Sequence, residues 1–222
     1  MKKTVSMLLV LMMLAVPALC ERYDSAFGYS MELPEMWLPL NGDTYSAIAT
    51  RLGEEKLQQM GLSEGTIEDV FARVTAVGME YLFSGDGLSN AIVYVVRQPV
   101  TPEELALTAE MTRLGYEQAG MTDAVSGAAK FGENEFQAVV CTVNGVVIAS
   151  YFCAEGGALY SIVFTNASAE DVSWMLSSAV FSTGTEDAGG SGEIGETADS
   201  AEETPPAGAM FLMNGALKEP RG

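Results

Sequence analysis

The chemistry open to this chain rests on carboxylates and cysteines, because its 222 residues include no histidine. A chain without histidine has no Ser-His-Asp or Cys-His nucleophilic machinery, no histidine-containing zinc site and no ordinary general base near neutral pH. The sequence also shows no glycine-rich phosphate loop, no spacing typical of metal ligands and no nucleophile elbow. We therefore expect no catalytic residue and no cofactor.

Acidic residues occur as adjacent pairs near predicted helix starts, where they complement the helix dipole rather than form catalytic pairs. These pairs are Glu54-Glu55, Glu68-Asp69, Glu103-Glu104 and Glu170-Asp171. Asp86 and Asn90, in the run 84–90, carry oxygen ligands of the kind that calcium prefers. Their spacing matches no calcium loop, so the sequence favours a plain hairpin turn, with Asp86 and Asn90 as its metal candidates.

The first 20 residues predict a secretory signal peptide. Lys2 and Lys3 precede an apolar run, Val5 to Val16, that is too short to span a membrane and that Pro17 interrupts. Cys20 follows small and apolar residues as in a bacterial lipobox, although Leu19 stands where that motif has Gly or Ala. Ordinary cleavage after Ala18 or after Cys20 is favoured, and lipidation of Cys20 is the alternative.

Acidic residues far outnumber basic ones, 30 against 11, which gives a net charge of −19. Loss of the predicted signal removes two lysines and no acid, so the mature chain is still more negative. Such a surface repels phosphate backbones and anionic lipids. We expect a secreted protein without nucleic-acid partners. It would contact the membrane only if Cys20 carried a lipid anchor. The composition leaves the oligomeric state open.

Residues 136–165 predict a three-stranded antiparallel meander with strands at 136–143, 146–153 and 158–165. Asn144-Gly145 predicts a type I′ turn. This turn pairs Val143 with Val146 and Cys141 with Ile148. Cys141 and Cys153 then lie on opposite faces and cannot pair with each other. Both faces are largely apolar, so the meander needs cover on both sides.

The remaining chain supplies that cover. Helices are predicted at 54–60, at 67–77 after Thr66, at 102–119 after the capping box at Thr101, and at 169–178 after Ser168. Strands are predicted at 27–34, 79–84, 91–97 and 123–131. In the helix at 102–119, the stripe Leu107, Met111 and Leu114 is expected to face the sheet.

The composition changes after residue 182, and residues 183–222 predict an acidic, Gly/Ser/Ala-rich disordered tail. Within it, Met210-Phe211-Leu212-Met213 is a small apolar patch that is either an inert end or a docking motif. The predicted organisation is a signal peptide at 1–20, one domain at 21–182 and the tail at 183–222.

The run from Gly28 to Trp37, GYSMELPEMW, resembles the opening of the PsbP-like domain, with Gly, an aromatic residue, Ser, alternating apolar residues, Pro and Trp in order. Met36 stands where this family often has Gly. The family includes an extrinsic protein of the oxygen-evolving complex, a Ran-binding import factor, and bacterial secreted proteins or lipoproteins. The resemblance implies an α+β fold with an antiparallel sheet between helices, and no functional residue is carried over.

Together these features predict a secreted or surface-tethered, non-catalytic protein that binds an extracytoplasmic protein or a small ligand. Two alternatives remain at this stage. One is a structural subunit of an envelope complex, and the other is a hydrolase that uses carboxylates or a divalent ion.

Overall fold

A computed structural model describes residues 21–60, 62 and 66–182. The predicted signal peptide with Cys20 and the predicted tail with its apolar patch lie outside the described residues. The strands are β1 (Glu21–Asp24), β2 (Tyr29–Leu33), β3 (Leu38–Pro39), β4 (Met79–Phe83), β5 (Asn90–Val96), β6 (Thr122–Phe131), β7 (Asn134–Val143), β8 (Val146–Glu155), β9 (Ala158–Thr165) and β10 (Val180–Phe181). The helices are α1 (Tyr45–Leu52), α2 (Glu54–Gln59), α3 (Ile67–Ala76), α4 (Pro102–Gln118) and α5 (Ala169–Ser178).

The main sheet has seven antiparallel strands in the order β3-β4-β5-β9-β8-β7-β6. The predicted meander forms β7, β8 and β9, and the predicted pairs Val143–Val146 and Cys141–Ile148 are confirmed. Asn144 and Gly145 both have positive φ, as the I′ turn requires. The meander is therefore set by its local turn chemistry.

One face of the main sheet is covered by a second, three-stranded sheet of order β1-β2-β10, together with α5. The strand β2 is central, and β10 pairs with it through Val180–Ser30 and Phe181–Tyr29. Met31, Met175 and Leu176 are fully withdrawn from solvent in this layer. This small sheet was not predicted, since only β2 of its strands has a recognisable sequence pattern.

The opposite face is covered by the other four helices. Helices α1 to α3 enclose a core around Ile48, Val70 and Tyr81 beside β4, while α4 lies over β6, β7 and β8. Helices thus lie on both faces of an antiparallel sheet, and the predicted α+β class is confirmed. Among the described residues no helix has both the length and the apolar character needed to cross a membrane.

The predicted orientation of α4 is wrong. Leu107, Met111 and Leu114 are 58%, 49% and 42% exposed, whereas Ala109 and Tyr116, seven residues apart, are buried against the sheet. The Tyr116 hydroxyl and the fully buried Ser150 hydroxyl form a hydrogen bond of 2.7 Å, which anchors this side of the helix. The large apolar stripe therefore points away from the sheet.

Candidate functional site

Glu80 on β4 is the centre of a polar cluster between the two sheets. Its carboxylate accepts hydrogen bonds from the Tyr23 hydroxyl at 3.0 Å, from the Ser25 hydroxyl at 2.7 Å and from the Tyr29 hydroxyl. The rings of Tyr23 and Tyr29 meet edge to face, with centroids 6.3 Å apart. The donors lie on β1, on β2 and between them, so this cluster ties the small sheet to the main one.

The protonation of the cluster fits a structural role. Burial, with the nearby Glu80 charge second, raises the pKa of Tyr23 and the pKa of Tyr29. Both hydroxyls therefore stay neutral donors, and they cannot act as bases near neutral pH. Sequence reasoning missed Glu80, although the signal was present: on β4 the alternation places this acid on the same inward face as the buried Leu82.

The two metal candidates from the sequence lie in different local structures. Asp86 Oδ1 accepts a hydrogen bond from the Ser84 hydroxyl at 2.5 Å and another from the Leu88 backbone N–H at 2.9 Å. The bond from Ser84, followed by that from Leu88, lowers the pKa of Asp86. Asn90 instead belongs to β5, where it pairs with residues of β4 and β9. One carboxylate oxygen of Asp86 is thus occupied by hydrogen bonds that close the turn before β5.

Within the ranges that the structure describes, His, Cys, Asp and Glu side chains form no group of three or more that could hold a metal ion. The acids that begin α3 and α4 are engaged in capping. Asp69 completes a capping box with Thr66, and Glu104 completes one with Thr101. These hydrogen bonds, first from the backbone of each capping threonine, lower the pKa of Asp69 and the pKa of Glu104.

The two described cysteines are separate interior thiols. Cys153 packs on the face under the small sheet, and Cys141 packs on the face under α4, where its thiol donates to the sulfur of Met121 at 3.5 Å. Burial raises the pKa of Cys141 to about 11 and that of Cys153 to about 12. Thiols that remain protonated are poor nucleophiles, so neither is suited to covalent chemistry.

The candidate binding surface is a pair of adjoining concavities at the carboxyl end of α5, with volumes of about 490 and 410 Å³. Both are lined by Ser177 and Ser178, and the two adjoining concavities together are called the α5 groove. The first is walled by Glu133 and Glu155, and the second by Glu32, Glu170 and Trp174.

Hydrogen bonds between elements fix the walls of the α5 groove. The Asn134 side-chain amide donates to the backbone carbonyls of Leu176 at 2.9 Å and of Ala179 at 2.8 Å, which closes the end of α5. The Ser178 hydroxyl accepts from the Glu32 backbone N–H at 2.9 Å and donates to the Met175 carbonyl at 3.1 Å. The walls of the groove are therefore held in place without a ligand.

The chemistry of the α5 groove suits a cation. Four glutamates line it, and Trp174, which lines the second concavity, is 44% exposed. An ammonium or guanidinium group is attracted both by carboxylates and by the face of an indole ring. Sequence reasoning missed this site because its residues come from four separate segments of the chain, at 32, 132–134, 155 and 170–181.

No family model and no curated protein matches the chain. Among solved structures, a protein of Bacteroides thetaiotaomicron VPI-5482, determined by crystallography at 1.50 Å resolution, aligns with a TM-score of 0.41 and 12% sequence identity. The alignment covers 73% of this chain and 48% of that protein. This chain therefore spans about half the length of the structural neighbour, and a likeness at that level carries no functional argument.

Proposed function

We propose that this chain is a secreted or surface-tethered, non-catalytic binding protein whose α5 groove takes a cationic segment of a partner, such as a lysine-bearing peptide. The leader pattern of residues 1–20 supports a location outside the membrane. The observation that carries the binding role is the groove, where Glu32 and Glu170 line one concavity with the exposed Trp174, and Glu133 and Glu155 line the adjoining concavity.

The expected affinity follows from the exposure of these groups. An exposed ion pair contributes roughly 0.2–1 kcal/mol, and an ammonium on an exposed aromatic face roughly 0.5–1 kcal/mol. Three carboxylates and Trp174, each at the upper end of its range, sum to about 4 kcal/mol, so a short lysine peptide would bind with a Kd of about 1 mM at best. A partner that presents several cations along one segment would bind more tightly.

The test is a fluorescence titration with a lysine-containing tetrapeptide and with the same peptide acetylated on its lysines. Trp174 is exposed and the other tryptophan, Trp37, is buried, so a ligand in the groove acts on the Trp174 signal. We expect a saturable change with the cationic peptide, weaker at high salt, and none with the acetylated peptide.

Matched variants separate the groove from the general negative charge of the protein. Glu155→Gln and Glu170→Gln should each weaken binding, whereas Glu35→Gln removes an exposed carboxylate that lines neither concavity and should leave it unchanged. Equal weakening by all three variants, or an equal response to the acetylated peptide, would rule out the groove as the binding site.

We also propose that the chain belongs to the PsbP-like family, on the strength of its opening motif. Support comes from Met36, which stands where the family often has Gly and which adopts a φ of 72°, a conformation that favours Gly. An experimental structure with an ordinary negative φ at Met36 would contradict this support.

A further inference from the structure

The side of α4 turned away from the sheet is apolar. Leu107, Met111 and Leu114 follow one another at i, i+4 and i+7, so they share one face of the helix (the outer stripe). All three are at least 42% exposed, although the same helix buries its opposite side. No described element covers the outer stripe, so these three side chains form an exposed apolar surface along the helix.

The outer stripe has an acidic border. Glu103, Glu110 and Glu117 recur every seven residues, so they lie along one side of the helix next to the stripe. Arg113 is held by two of them, in a bidentate pair with Glu110 at 2.6 and 2.9 Å and in a pair with Glu117. The border therefore keeps a net negative charge and suits an occupant that is apolar with adjacent cations.

One segment of this chain has that composition. Residues 183–209 contain seven acids and no basic residue, whereas Met210-Phe211-Leu212-Met213 is apolar and is followed by Lys218, Glu219 and Arg221, a net charge of +1. Four consecutive apolar side chains match a stripe of three, and the two cations match its acidic border. The preceding spacer carries only negative charge, so the acidic domain surface repels it.

The segment can reach α4 from the last described residue. The spacer of 27 residues between Ser182 and Met210 has a root-mean-square length of about 30 Å if flexible. A domain of this size is about 40 Å across, and Ser182 follows β10 on the face opposite α4, so the spacer must run around the domain. Its fully extended length of roughly 90 Å is enough for that path. Tethering also gives a millimolar effective concentration, which lets a small patch be occupied within one molecule.

A second copy of the domain fits the outer stripe less well. Pairing two α4 helices would bring two acidic borders together. The three half-exposed side chains also offer only roughly 300 Å², against the ~800 Å² per partner that a stable complex buries. The outer stripe is thus sized for a short tethered segment rather than for a dimer.

We propose that residues 210–221 dock on the outer stripe of α4 within the same molecule, with Phe211 and Leu212 on Leu107, Met111 and Leu114, and with Lys218 and Arg221 beside the glutamates. This intramolecular contact shields the stripe from the solvent. It is independent of the α5 groove, which lies at the end of a different helix.

The test places a photo-reactive benzoylphenylalanine at position 111 of the full chain and maps the cross-links by mass spectrometry. We expect an intramolecular link to residues 210–217 whose yield does not change with protein concentration. The same group at Leu88, which is 60% exposed at a turn, is the control and should give a yield at least tenfold lower.

Variants of the segment complete the test without touching the domain. Phe211→Ser with Leu212→Ser should lower the yield at least tenfold, and Lys218→Glu with Arg221→Glu should lower it most at low salt. Ile194→Ser, which alters the one large apolar side chain of the spacer, should leave it unchanged. Absence of a link, a link to a second copy, or an equal yield from position 88 would overturn the proposal.

Discussion

Met36 is held in a backbone conformation that opposes its side chain. Its φ of 72° lies in the left-handed region, which costs a non-glycine residue roughly 1–2 kcal/mol. Glycine avoids that strain but has greater entropy in the unfolded chain, which costs roughly 0.5–1 kcal/mol. Because Met36 is 58% exposed, little packing is lost on its removal. We expect Met36→Gly to raise the free energy of unfolding by about 0.5–1 kcal/mol in a urea titration.

The matched control is Met36→Ala, which removes the side chain beyond Cβ and keeps the strain. It should leave the free energy of unfolding unchanged or slightly lower. If alanine stabilises the protein as much as glycine does, strain at this position is not the cause. Met36 lies against the turn before β5, where a Cβ at Gly85 would lie only 2.4 Å from the Met36 Cβ, so position 85 has no room for a side chain.

At the scale of elements, α4 shows what burial of one side of a helix contributes. Tyr116→Phe removes the hydroxyl that meets Ser150 and leaves a buried group without its partner, so we expect a loss of about 1–2 kcal/mol. Met111→Gln changes an exposed position and should cost less than about 0.5 kcal/mol. Urea unfolding of a chain ending at Ser182 measures both without the C-terminal segment. Equal losses would place Met111 in a buried contact instead.

The bounds of α4 were predictable and its orientation was not. The start depends on neighbours in sequence, namely Thr101, Pro102 and Glu104, which form the predicted capping box. The orientation depends on Ser150 of β8 and Ser126 of β6, which form hydrogen bonds with Tyr116 and Glu110 across the packed layers. Both the buried and the exposed side of α4 carry apolar residues. The helical periodicity alone therefore does not show which side faces the sheet, and the larger apolar side chains were predicted to face inward.

Distance along the chain explains the other misses as well. The meander was predictable because Asn144-Gly145 fixes its register locally. The two-residue strand β10 is a strand only because it pairs with β2, about 150 residues away, so its own sequence does not predict it. The Glu80 cluster joins residues 51 to 57 positions apart, and the α5 groove joins four segments. The spacing of residues within one segment cannot predict contacts between segments that are far apart in the chain.

At the scale of the whole molecule, buried tyrosine hydroxyls set the alkaline limit of the fold. Burial raises the pKa of Tyr81 and of Tyr116 to about 12, and burial with the Glu80 charge raises that of Tyr29 well above its usual value near 10. Below pH 10 these hydroxyls are neutral in both states and stability is intact. Between about pH 10 and 12 the unfolded chain ionises and the folded chain does not, so stability is lost as pH rises.

The size of this loss predicts where unfolding occurs. Each deferred ionisation costs about 1.4 kcal/mol per pH unit, so three buried tyrosines remove roughly 4 kcal/mol per unit. Against a total stability of about 5–15 kcal/mol, the protein should unfold cooperatively above about pH 11. A pH titration should show tyrosinate absorbance rising together with the loss of circular dichroism. Tyr81→Phe removes one ionisation, so the pH dependence of its stability should be shallower by about 1.4 kcal/mol per unit. Ionisation of all eight tyrosines near pH 10 with unchanged dichroism would show that these hydroxyls are open to solvent.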